Sequence, residues 1–432
     1  MNQFANVSFE GRQDLFTSLM ARYEAFQQQK LSLDMSRGKP CSEQLDLSNE
    51  LFLPLTQEAY IDGNIDLRNY GGLDGLPDMK RWFAGLLQVE TNEVMVGGNS
   101  SLNMMYDTIS RAMLFGVYGG DQPWGKLPRI AFICPSPGYD RHFAICEAFG
   151  IEMILVDINQ DGPDMDRIEE LVRQDDAIKG IWCVPKYSNP EGITYSDEVV
   201  HRLANMTTKA NDFRIFWDNA YMIHHLTDTP DQLQDILSAC KSSGNPDRVF
   251  MYCSTSKITF PGAGVAAIAA SFANINHMKM QMAAQTIGPD KINQLRHLRF
   301  LQNTEKAMQL MQKHAAILRP KFEKTLAIFD AELGDLDIAT WSKPNGGYFI
   351  SLHTLDGCAG RVVALAAEAG VILTNAGATF PYGKDPRDRN IRIAPSFPTI
   401  QELELAITIV CLCIKIATIE KLNNMTATTA RQ

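Results

Sequence analysis

Strand and helix patterns alternate from about residue 90 to about residue 270, and this alternation constrains the fold most strongly. Short apolar runs of strand length are separated by stretches in which apolar residues recur at helical spacing. Strands that are connected by helices pair in parallel and are covered by those helices. We therefore expect an α/β fold whose large domain has a mainly parallel sheet flanked by helices.

The pattern changes beyond about residue 300, which indicates a second, smaller α/β domain. A long helical stretch from Asn303 to Phe329, kinked or restarted at Pro320, precedes shorter strand-like segments and a final helix. The length of 432 residues also exceeds what one hydrophobic core usually supports. We expect residues 50–300 to form the large domain and residues 301–432 the small one.

One lysine stands between an apolar strand and a glycine-rich turn. Lys257 follows the run Val249–Cys253 and precedes the turn Pro261–Gly264. A lysine that forms a Schiff base must be partly withdrawn from water, so that its amine can be neutral. Lysines after strands are commonly solvated, so other residues have to decide the role of Lys257.

Polar residues at two other strand-to-loop junctions are candidate partners of this lysine. Asp218 ends an apolar run, Tyr221 follows three residues later, and Asn189 lies in an Asn-Pro turn after another apolar run. In an open α/β sheet such junctions share the rim where ligands bind. Each residue alone has an ordinary alternative: a helix cap for Asp218, a turn for Asn189 and packing for Tyr221. Together they favour a single site.

The chemistry of this set matches one cofactor. A carboxylate keeps a pyridine nitrogen protonated, amide and phenol donors suit a phenolic oxygen, and an amine bonds to an aldehyde; pyridoxal phosphate has all three groups. On these residues, and in their order and separation from about Leu33 to Arg392, the chain resembles the fold type I aminotransferases, typified by aspartate aminotransferase. The resemblance implies pyridoxal 5'-phosphate as the cofactor.

The resemblance also implies a role for each residue of the set. Lys257 would be the Schiff-base lysine and then the base that moves a proton between the α-carbon of the substrate and the cofactor. Asp218 would pair with the pyridinium nitrogen, while Tyr221 and Asn189 would donate hydrogen bonds to the phenolate oxygen. We therefore expect Lys257, Asp218 and Tyr221 to be catalytic and Asn189 to bind the cofactor.

A Gly-Gly-Asn-Ser-Ser segment before a helical pattern is a candidate phosphate site. Ser100 and Ser101 stand where free backbone NH groups and the positive end of a helix dipole would meet a phosphate. The resemblance makes these two serines phosphate ligands, together with Ser254, three residues before the lysine. Asn99 or Ser100 could also simply cap the helix, and capping is compatible with phosphate binding.

Two further residues take their expected roles from the resemblance. Tyr139, in a Pro-Gly loop after an apolar strand, would lie flat on the cofactor, although many relatives carry this ring at the position of Pro137. Arg392, inside a short apolar strand, would bind the α-carboxylate of the substrate with its planar fork, assisted by Asn189. The alternative for Arg392 is a structural ion pair with a helix carboxylate.

Two loops near the N-terminus complete the expected site. Gly38 would let the backbone approach the substrate, and its neighbour Arg37 is either a ligand for a side-chain carboxylate or a solvated loop residue. Tyr70 matches the tyrosine that relatives send into the phosphate site of the neighbouring subunit, which implies a homodimer. Residues 1–49 would return to the small domain, as in relatives.

One residue of the family pattern is missing. Relatives carry an arginine for the cofactor phosphate just after the glycine turn, where this chain has Gly264. Lys186 could supply the positive charge, although a lysine in such a loop is more commonly exposed to solvent. Without a replacement cation, hydroxyl and helix NH groups would hold the phosphate alone. The departure bears on cofactor affinity more than on reaction type.

The composition fits an enzyme that acts on small molecules. A net charge of −10 argues against a nucleic-acid surface. The N-terminus lacks a secretory pattern, and the longest apolar run, Leu405–Ile414, is about half of the roughly 20 residues needed to span a bilayer. The nine cysteines lie mostly in apolar runs without a C-x-x-C pair. This predicts buried reduced thiols, no metal site and a cytoplasmic location.

We therefore expect an aminotransferase that moves the amino group of an amino acid, aspartate or glutamate by resemblance, to a 2-oxo acid in a ping-pong reaction. A pyridoxal phosphate lyase or decarboxylase stays open, because the bond that breaks depends on its alignment with the ring. A non-catalytic aminotransferase-like ligand sensor is the alternative from another class. Such regulators carry an N-terminal DNA-binding domain, for which the roughly 30 residues before the active-site loop are too few.

Overall fold

The computed structural model is built around one large sheet. It describes residues 4, 7–53, 55–56, 60–62 and 65–429, without the side chains of residues 62 and 426–429. The large sheet has eight strands, in the order β4 (Val94–Val96), β11 (Ala266–Ala269), β10 (Val249–Ser254), β9 (Arg214–Asp218), β8 (Ile178–Cys183), β5 (Ala131–Ser136), β6 (Glu152–Asn159) and β7 (Gly162–Pro163).

Most strands of the large sheet share one direction. The strands β10, β9, β8, β5 and β6 are parallel to one another, with register pairs such as Tyr252 with Asp218 and Cys183 with Trp217. β11 is antiparallel to both β10 and β4, and β7 is antiparallel to β6. The mainly parallel sheet predicted from the alternating pattern is confirmed.

Helices pack on the large sheet, and two apolar cores lie between them and its two faces. The helices from residue 77 to residue 301 are α3 (Pro77–Leu87), α4 (Ser101–Phe115), α5 (Asp140–Ala148), α6 (Met165–Gln174), α7 (Asp197–Asn205), α8 (Ile236–Ser242), α9 (Phe272–Met282) and α10 (Lys291–Leu301). Successive side chains of a strand point to opposite faces. In β9, Ile215 and Trp217 therefore join one core and Phe216 the other.

The C-terminal part forms a second core around smaller sheets. Its elements are α11 (Thr304–Leu333), β12 (Ala339–Trp341), β13 (Ile350–Thr354), α12 (Ala359–Glu368), β14 (Val371–Ile372), β15 (Asn390–Ile393) and α13 (Ile400–Thr429). β12, β13 and β15 form an antiparallel sheet. The N-terminal elements are α1 (Phe9–Gln27), β1 (Leu33–Asp34), α2 (Ser42–Asp46), β2 (Ile61–Asp62) and β3 (Ile65–Asp66).

The N-terminal segment contacts this C-terminal part directly. β1 pairs in parallel with β14, and α1 packs on α13. Leu19, Tyr23 and Leu33 are buried in the same apolar core as α12 and α13. The division into residues 1–49, which join the small domain, residues 50–300 and residues 301–432 stays a prediction.

One element differs in part from the sequence expectation. Of the two alternatives at Pro320, a kink or a restart, the restart is wrong, because α11 continues through Pro320 and Leu318 and Phe322 on either side are buried in the apolar core.

Neither a membrane-crossing helix nor a cluster of metal ligands is present among the described residues. No helix in this part of the chain combines the length and the apolar character of a membrane crossing. Nor do three His, Cys, Asp or Glu side chains of the described residues come together in a group that could hold a metal ion. All nine cysteines are free and buried.

Candidate active site

The candidate site lies where five strands of the large sheet end. β4, β5, β8, β9 and β10 run in the same direction, so the loops that follow them meet at one rim. A cavity at this rim is lined by Ser100, Ser101, Leu102, Met105, Tyr139, Val184, Asn189, Asp218, Ala220, Tyr221, Ser254, Ser256 and Lys257. The structure thus brings eight of the predicted site residues into one cavity.

Asp218 presents one free oxygen in this cavity. Its side chain is buried at the end of β9, and Oδ2 accepts a hydrogen bond from Nε2 of His142 at 3.0 Å. The imidazole of His142 stacks on the Trp182 ring, with centroids 4.3 Å apart. The other oxygen, Oδ1, is buried without a hydrogen-bond partner. A buried carboxylate oxygen in this condition is suited to a cationic N–H donor of a ligand.

Lys257 and Tyr221 form the centre of the cavity. Nζ of Lys257 lies 4.7 Å from the centroid of the Tyr221 ring. Burial, with the charge of Asp218 adding to it, raises the pKa of Tyr221, so its hydroxyl remains a hydrogen-bond donor at neutral pH. Lys257 is half-buried, which agrees with the partial withdrawal from water that a Schiff-base lysine needs.

Four serine hydroxyls line the end of the cavity next to α4. Ser100 is the N-cap residue of α4, but its side chain makes no capping hydrogen bond. Ser254 donates to Ser256 Oγ at 3.1 Å, and Ser256 donates to the carbonyl of Asn99 at 3.0 Å. Hydroxyls, free helix NH groups and the positive end of the α4 dipole therefore converge at this end, as an anion site requires.

The turn after Lys257 leaves little room for a side chain at Gly264. A Cβ atom there would lie 3.1 Å from the Asn99 carbonyl and 3.1 Å from Ser256 Oγ. The amide of Asn293 from α10 donates to the carbonyls of Ala263 and Gly264, at 3.0 Å each. In this chain Ser256 and the Asn99 carbonyl therefore occupy the space next to Gly264.

Lys186 does not replace that arginine in the structure. It is buried, and burial lowers its pKa, so the expectation of an exposed lysine is also wrong. Its Nζ lies 5.4 Å from the Tyr187 ring, and Lys186 is not among the residues that line the cavity. A positive charge on Lys186 thus has no place beside the four serines.

Arg392 lies at the side of the site that faces the small domain. Its buried guanidinium donates from Nη1 to Oδ1 of Asp140 at 2.8 Å and to Oδ1 of Asn189 at 3.3 Å. Nη2 reaches Thr374 at 3.4 Å, and Nε is buried without a partner. The face of the guanidinium rests on the Phe349 ring, 4.9 Å from its centroid. The ion pair with a helix carboxylate, the alternative for Arg392, is thus present in the structure.

Gly38 lies against the Phe349 ring, which also contacts the guanidinium of Arg392. A Cβ atom at Gly38 would lie only 2.5 Å from Cζ of Phe349, so a larger residue would have to displace the ring or the loop. The same loop is joined to the arginine by Thr374, which donates to the carbonyl of Ser36 at 2.6 Å. An effect of Gly38 on substrate binding would therefore come from the position of the Phe349 ring. Arg37 is exposed.

The two remaining predicted residues differ in their location. Tyr139 lines the cavity, its ring stands edge-on to His142, and burial raises its pKa to about 12. Tyr70 does not line the cavity of its own chain and is 82% exposed. An exposed tyrosine on a glycine-rich loop is compatible with the expected contact to a second subunit.

Sequence reasoning missed three residues of the site. His142 orients Asp218, Ser256 joins the serine group, and Asp140 pairs with Arg392. Ser256 precedes the lysine directly, and its hydroxyl could have been noted in the same motif. His142 lies three residues after Tyr139, so helical spacing places both on one face, but their carboxylate and ring partners come from distant strands.

Comparison with known proteins places the whole chain in one family. The sequence model of the family described as aspartate amino-transferase matches residues 7–426. An aspartate aminotransferase of Corynebacterium glutamicum is 46% identical over 404 residues, covering 93% of each chain. The chain belongs to the aspartate aminotransferase family. A crystal structure of an aspartate transaminase from the same organism has a TM-score of 0.95 at 44% identity, and covers 98% of this chain and 99% of that one.

A more distant structure shares the fold of this family. An α-aminoadipate aminotransferase of Thermus thermophilus has a TM-score of 0.72 at 18% identity and covers 90% of this chain and 93% of its own. Family membership confirms the predicted fold class and the prediction of an aminotransferase. Aminotransferases of this fold use pyridoxal phosphate and alternate between an amino acid and a 2-oxo acid.

Proposed function

We propose that this aminotransferase binds pyridoxal 5'-phosphate in the cavity at the strand ends, with aspartate or glutamate as amino donor. The choice of donor is supported by the relatives named aspartate aminotransferase that share 46% and 44% of its residues. The Thermus enzyme of the same fold was solved with N-(5'-phosphopyridoxyl)-L-leucine, a compound that joins the cofactor to an amino acid. The alternatives of a lyase, a decarboxylase or a ligand sensor have no comparable relative among these.

The observation that carries the cofactor assignment is the free oxygen of Asp218. Oδ1 is buried without a partner in the cavity that also holds the amine of Lys257. An ionised carboxylate left this way is costly unless a ligand supplies a donor, and a protonated ring nitrogen is such a donor. The donor set therefore fits pyridoxal phosphate: a carboxylate for the ring nitrogen, an amine for the aldehyde and hydroxyls for the phosphate.

The chemistry divides between the cofactor and the chain. When bound, pyridoxal phosphate supplies an aldehyde that takes up the amino group and a ring that delocalises the electrons left by loss of the α-proton. Lys257 would accept that proton from the α-carbon and return it at the neighbouring carbon. The Lys257 amine lies 4.7 Å from the centroid of the Tyr221 ring, so Tyr221 would help to position that amine. Asp218, oriented by His142, would keep the ring nitrogen protonated.

The remaining residues would hold the two ligands in place. Asn189 accepts from Arg392 through Oδ1, so its amide NH2 stays available to the phenolate oxygen. Ser100, Ser101 and Ser254 would bind the phosphate together with Ser256, which supplies a hydroxyl where relatives have an arginine side chain.

Two further residues would contact the cofactor ring and the substrate. Tyr139 would cover the ring, and Arg392 would bind the carboxylate of the substrate in front of Phe349.

We further propose a homodimer in the cytoplasm. Tyr70 extends from a loop with glycines at positive φ, and its exposed ring is available to the phosphate site of a second subunit. Nine free and buried cysteines suit a reducing compartment. Sedimentation of the purified protein tests the dimer, and Tyr70→Phe tests whether its hydroxyl adds to cofactor affinity.

A panel of donors and acceptors tests the proposed reaction. The amino group of aspartate or glutamate should appear in the amino acid formed from the added 2-oxo acid, whereas release of ammonia or carbon dioxide indicates a lyase or decarboxylase. Arg392→Gln should raise KM for donor and acceptor by about 10- to 100-fold, because a bidentate charged contact is lost. Arg387→Gln removes an exposed arginine nearby and is the matched control. Unchanged KM values in Arg392→Gln would contradict the assignment of that residue.

A further inference from the structure

The ion pair between Arg392 and Asp140 occupies the group that is expected to hold the substrate. Nη1 of the arginine donates to Oδ1 of Asp140 at 2.8 Å, across 252 residues of sequence. The arginine side chain is 6% exposed and the aspartate side chain 34% exposed. A buried guanidinium without a counter-ion is unfavourable, so a carboxylate at this position stabilises the ligand-free state.

We infer that Asp140 is a displaceable counter-ion, which neutralises Arg392 in the ligand-free enzyme and leaves when a substrate carboxylate binds. The inference rests on the proposed function, in which Arg392 binds that carboxylate. Asp140 would then set how tightly any carboxylate substrate is held, because each substrate has to displace it. No role in the chemistry at the α-carbon is needed.

The hydrogen bonds of the guanidinium favour displacement over joint binding. Asp140 and Asn189 share Nη1, Nη2 has only the 3.4 Å contact to Thr374, and Nε has no partner. Because Nε is buried, a ligand reaches the guanidinium through its two terminal nitrogens. A carboxylate that pairs with both of them needs the Nη1 proton that Asp140 now accepts. It gains two charge-assisted hydrogen bonds where the aspartate makes one, so a bidentate ligand can prevail.

The position of Asp140 in the fold provides a place for the released carboxylate. Asp140 is the first residue of α5, and its side chain is one-third exposed. A rotation of the side chain alone would bring it into water, without movement of the helix. There it still lies at the positive end of the α5 dipole, which favours a negative charge. Tyr139, directly before it, can therefore stay on the cofactor while the aspartate moves.

The test measures carboxylate binding to the holoenzyme of an Asp140→Asn variant. Succinate and glutarate are suitable probes, because they carry carboxylates but no amino group. Calorimetry or the absorbance of the bound cofactor gives the dissociation constants. We expect Asp140→Asn to lower them by about 5- to 50-fold, since the competing charged contact is removed. KM for the amino donor should fall by a similar factor, with kcat changed less than about threefold.

Two controls separate this effect from a structural one. Glu147→Gln removes the same charge from an exposed position of α5 and should leave succinate affinity unchanged. In an Arg392→Gln background, Asp140→Asn should no longer alter succinate affinity, because the aspartate acts only through that arginine. Asp140→Ser is the second variant if the asparagine variant has a lower melting temperature, since serine also suits a helix start.

The opposite outcomes overturn the inference. Dissociation constants for succinate within twofold of the wild type would show that Asp140 does not compete with carboxylates. Weaker binding of the donor with unchanged succinate affinity would show that Asp140 holds the amino group instead. The proposed function fails by a different result, namely a wild-type protein that takes up no pyridoxal phosphate or transfers no amino group.

Discussion

A single methyl group at Gly38 tests how the N-terminal loop controls the substrate site. The Cβ atom of an alanine would lie 2.5 Å from Cζ and 2.7 Å from Cε1 of Phe349. Carbon atoms pack best at about 3.5 to 4.0 Å, so the ring or the loop must move by roughly 1.0 to 1.5 Å. Phe349 is buried, with its face on Arg392 and its edge toward Tyr221, so the displacement reaches both residues.

The size of the effect follows from the usual cost of overpacking. Insertion of a methyl group into a packed site costs about 1 to 3 kcal/mol. If the strain falls on the bound state, KM for donor and acceptor rises by about 5- to 150-fold, since each 1.4 kcal/mol is a factor of ten. Steady-state kinetics of Gly38→Ala, together with the absorbance of the bound cofactor, measures this. The cofactor band should be unchanged, because Gly38 does not line the cofactor cavity.

Two further variants sharpen the test of Gly38. Gly262→Ala adds the same methyl group where no atom lies within 4 Å, and it should leave KM unchanged. Phe349→Leu removes the ring that the methyl group would meet, so Gly38→Ala should have a smaller effect in that background than in the wild type. The steric reasoning is refuted if Gly38→Ala alters neither KM nor the free energy of unfolding.

Two other predictions concern buried charges. Asp218→Asn should lower kcat by about 100- to 1000-fold with the cofactor still bound, because a preorganised charge is lost. Asp157→Asn, which removes an exposed carboxylate from β6, should leave kcat unchanged. A loss of kcat below tenfold in Asp218→Asn would contradict the role of Asp218. Burial lowers the pKa of His314 from 6.5 to about 4. Below pH 6.5 the unfolded chain therefore binds the proton first, and stability falls between pH 6.5 and pH 4. Urea unfolding should show about 2 kcal/mol lost from this group between pH 8 and pH 5. His314→Gln should reduce that pH dependence and the exposed His201→Gln should not; an equal slope in all three proteins contradicts the assignment.

Much of the fold and the central chemistry could be predicted because the signals are local. Lys257, Asp218 and Asn189 each follow an apolar strand within a few residues, and parallel strands bring such positions to one rim. The alternating pattern likewise indicated the parallel sheet. It could not indicate that β11 runs antiparallel between β10 and β4, because an apolar run has the same appearance in either direction.

The contacts that refine the site could not be predicted, because they join distant parts of the chain. Asp140 meets Arg392 across 252 residues, and His142 meets Asp218 across 76. No spacing rule connects such pairs, and Asp140 and His142 each also fit an ordinary role in helix α5. The turn at Gly264 is a similar case, because the sequence shows a missing arginine but not that Ser256 and Asn293 organise the space around it.

The absorbance of the purified protein with pyridoxal phosphate tests the central claim most directly. The wild type should show a visible cofactor band that shifts when aspartate or glutamate is added without an acceptor, because in the proposed function Lys257 would give way to the amino donor and would move the α-proton. Lys257→Ala should lose this rapid shift, while Lys186→Ala, which removes a lysine outside the cavity, should keep it. A wild-type protein that takes up no cofactor, or a Lys257→Ala variant that converts donor at the wild-type rate, would contradict the account.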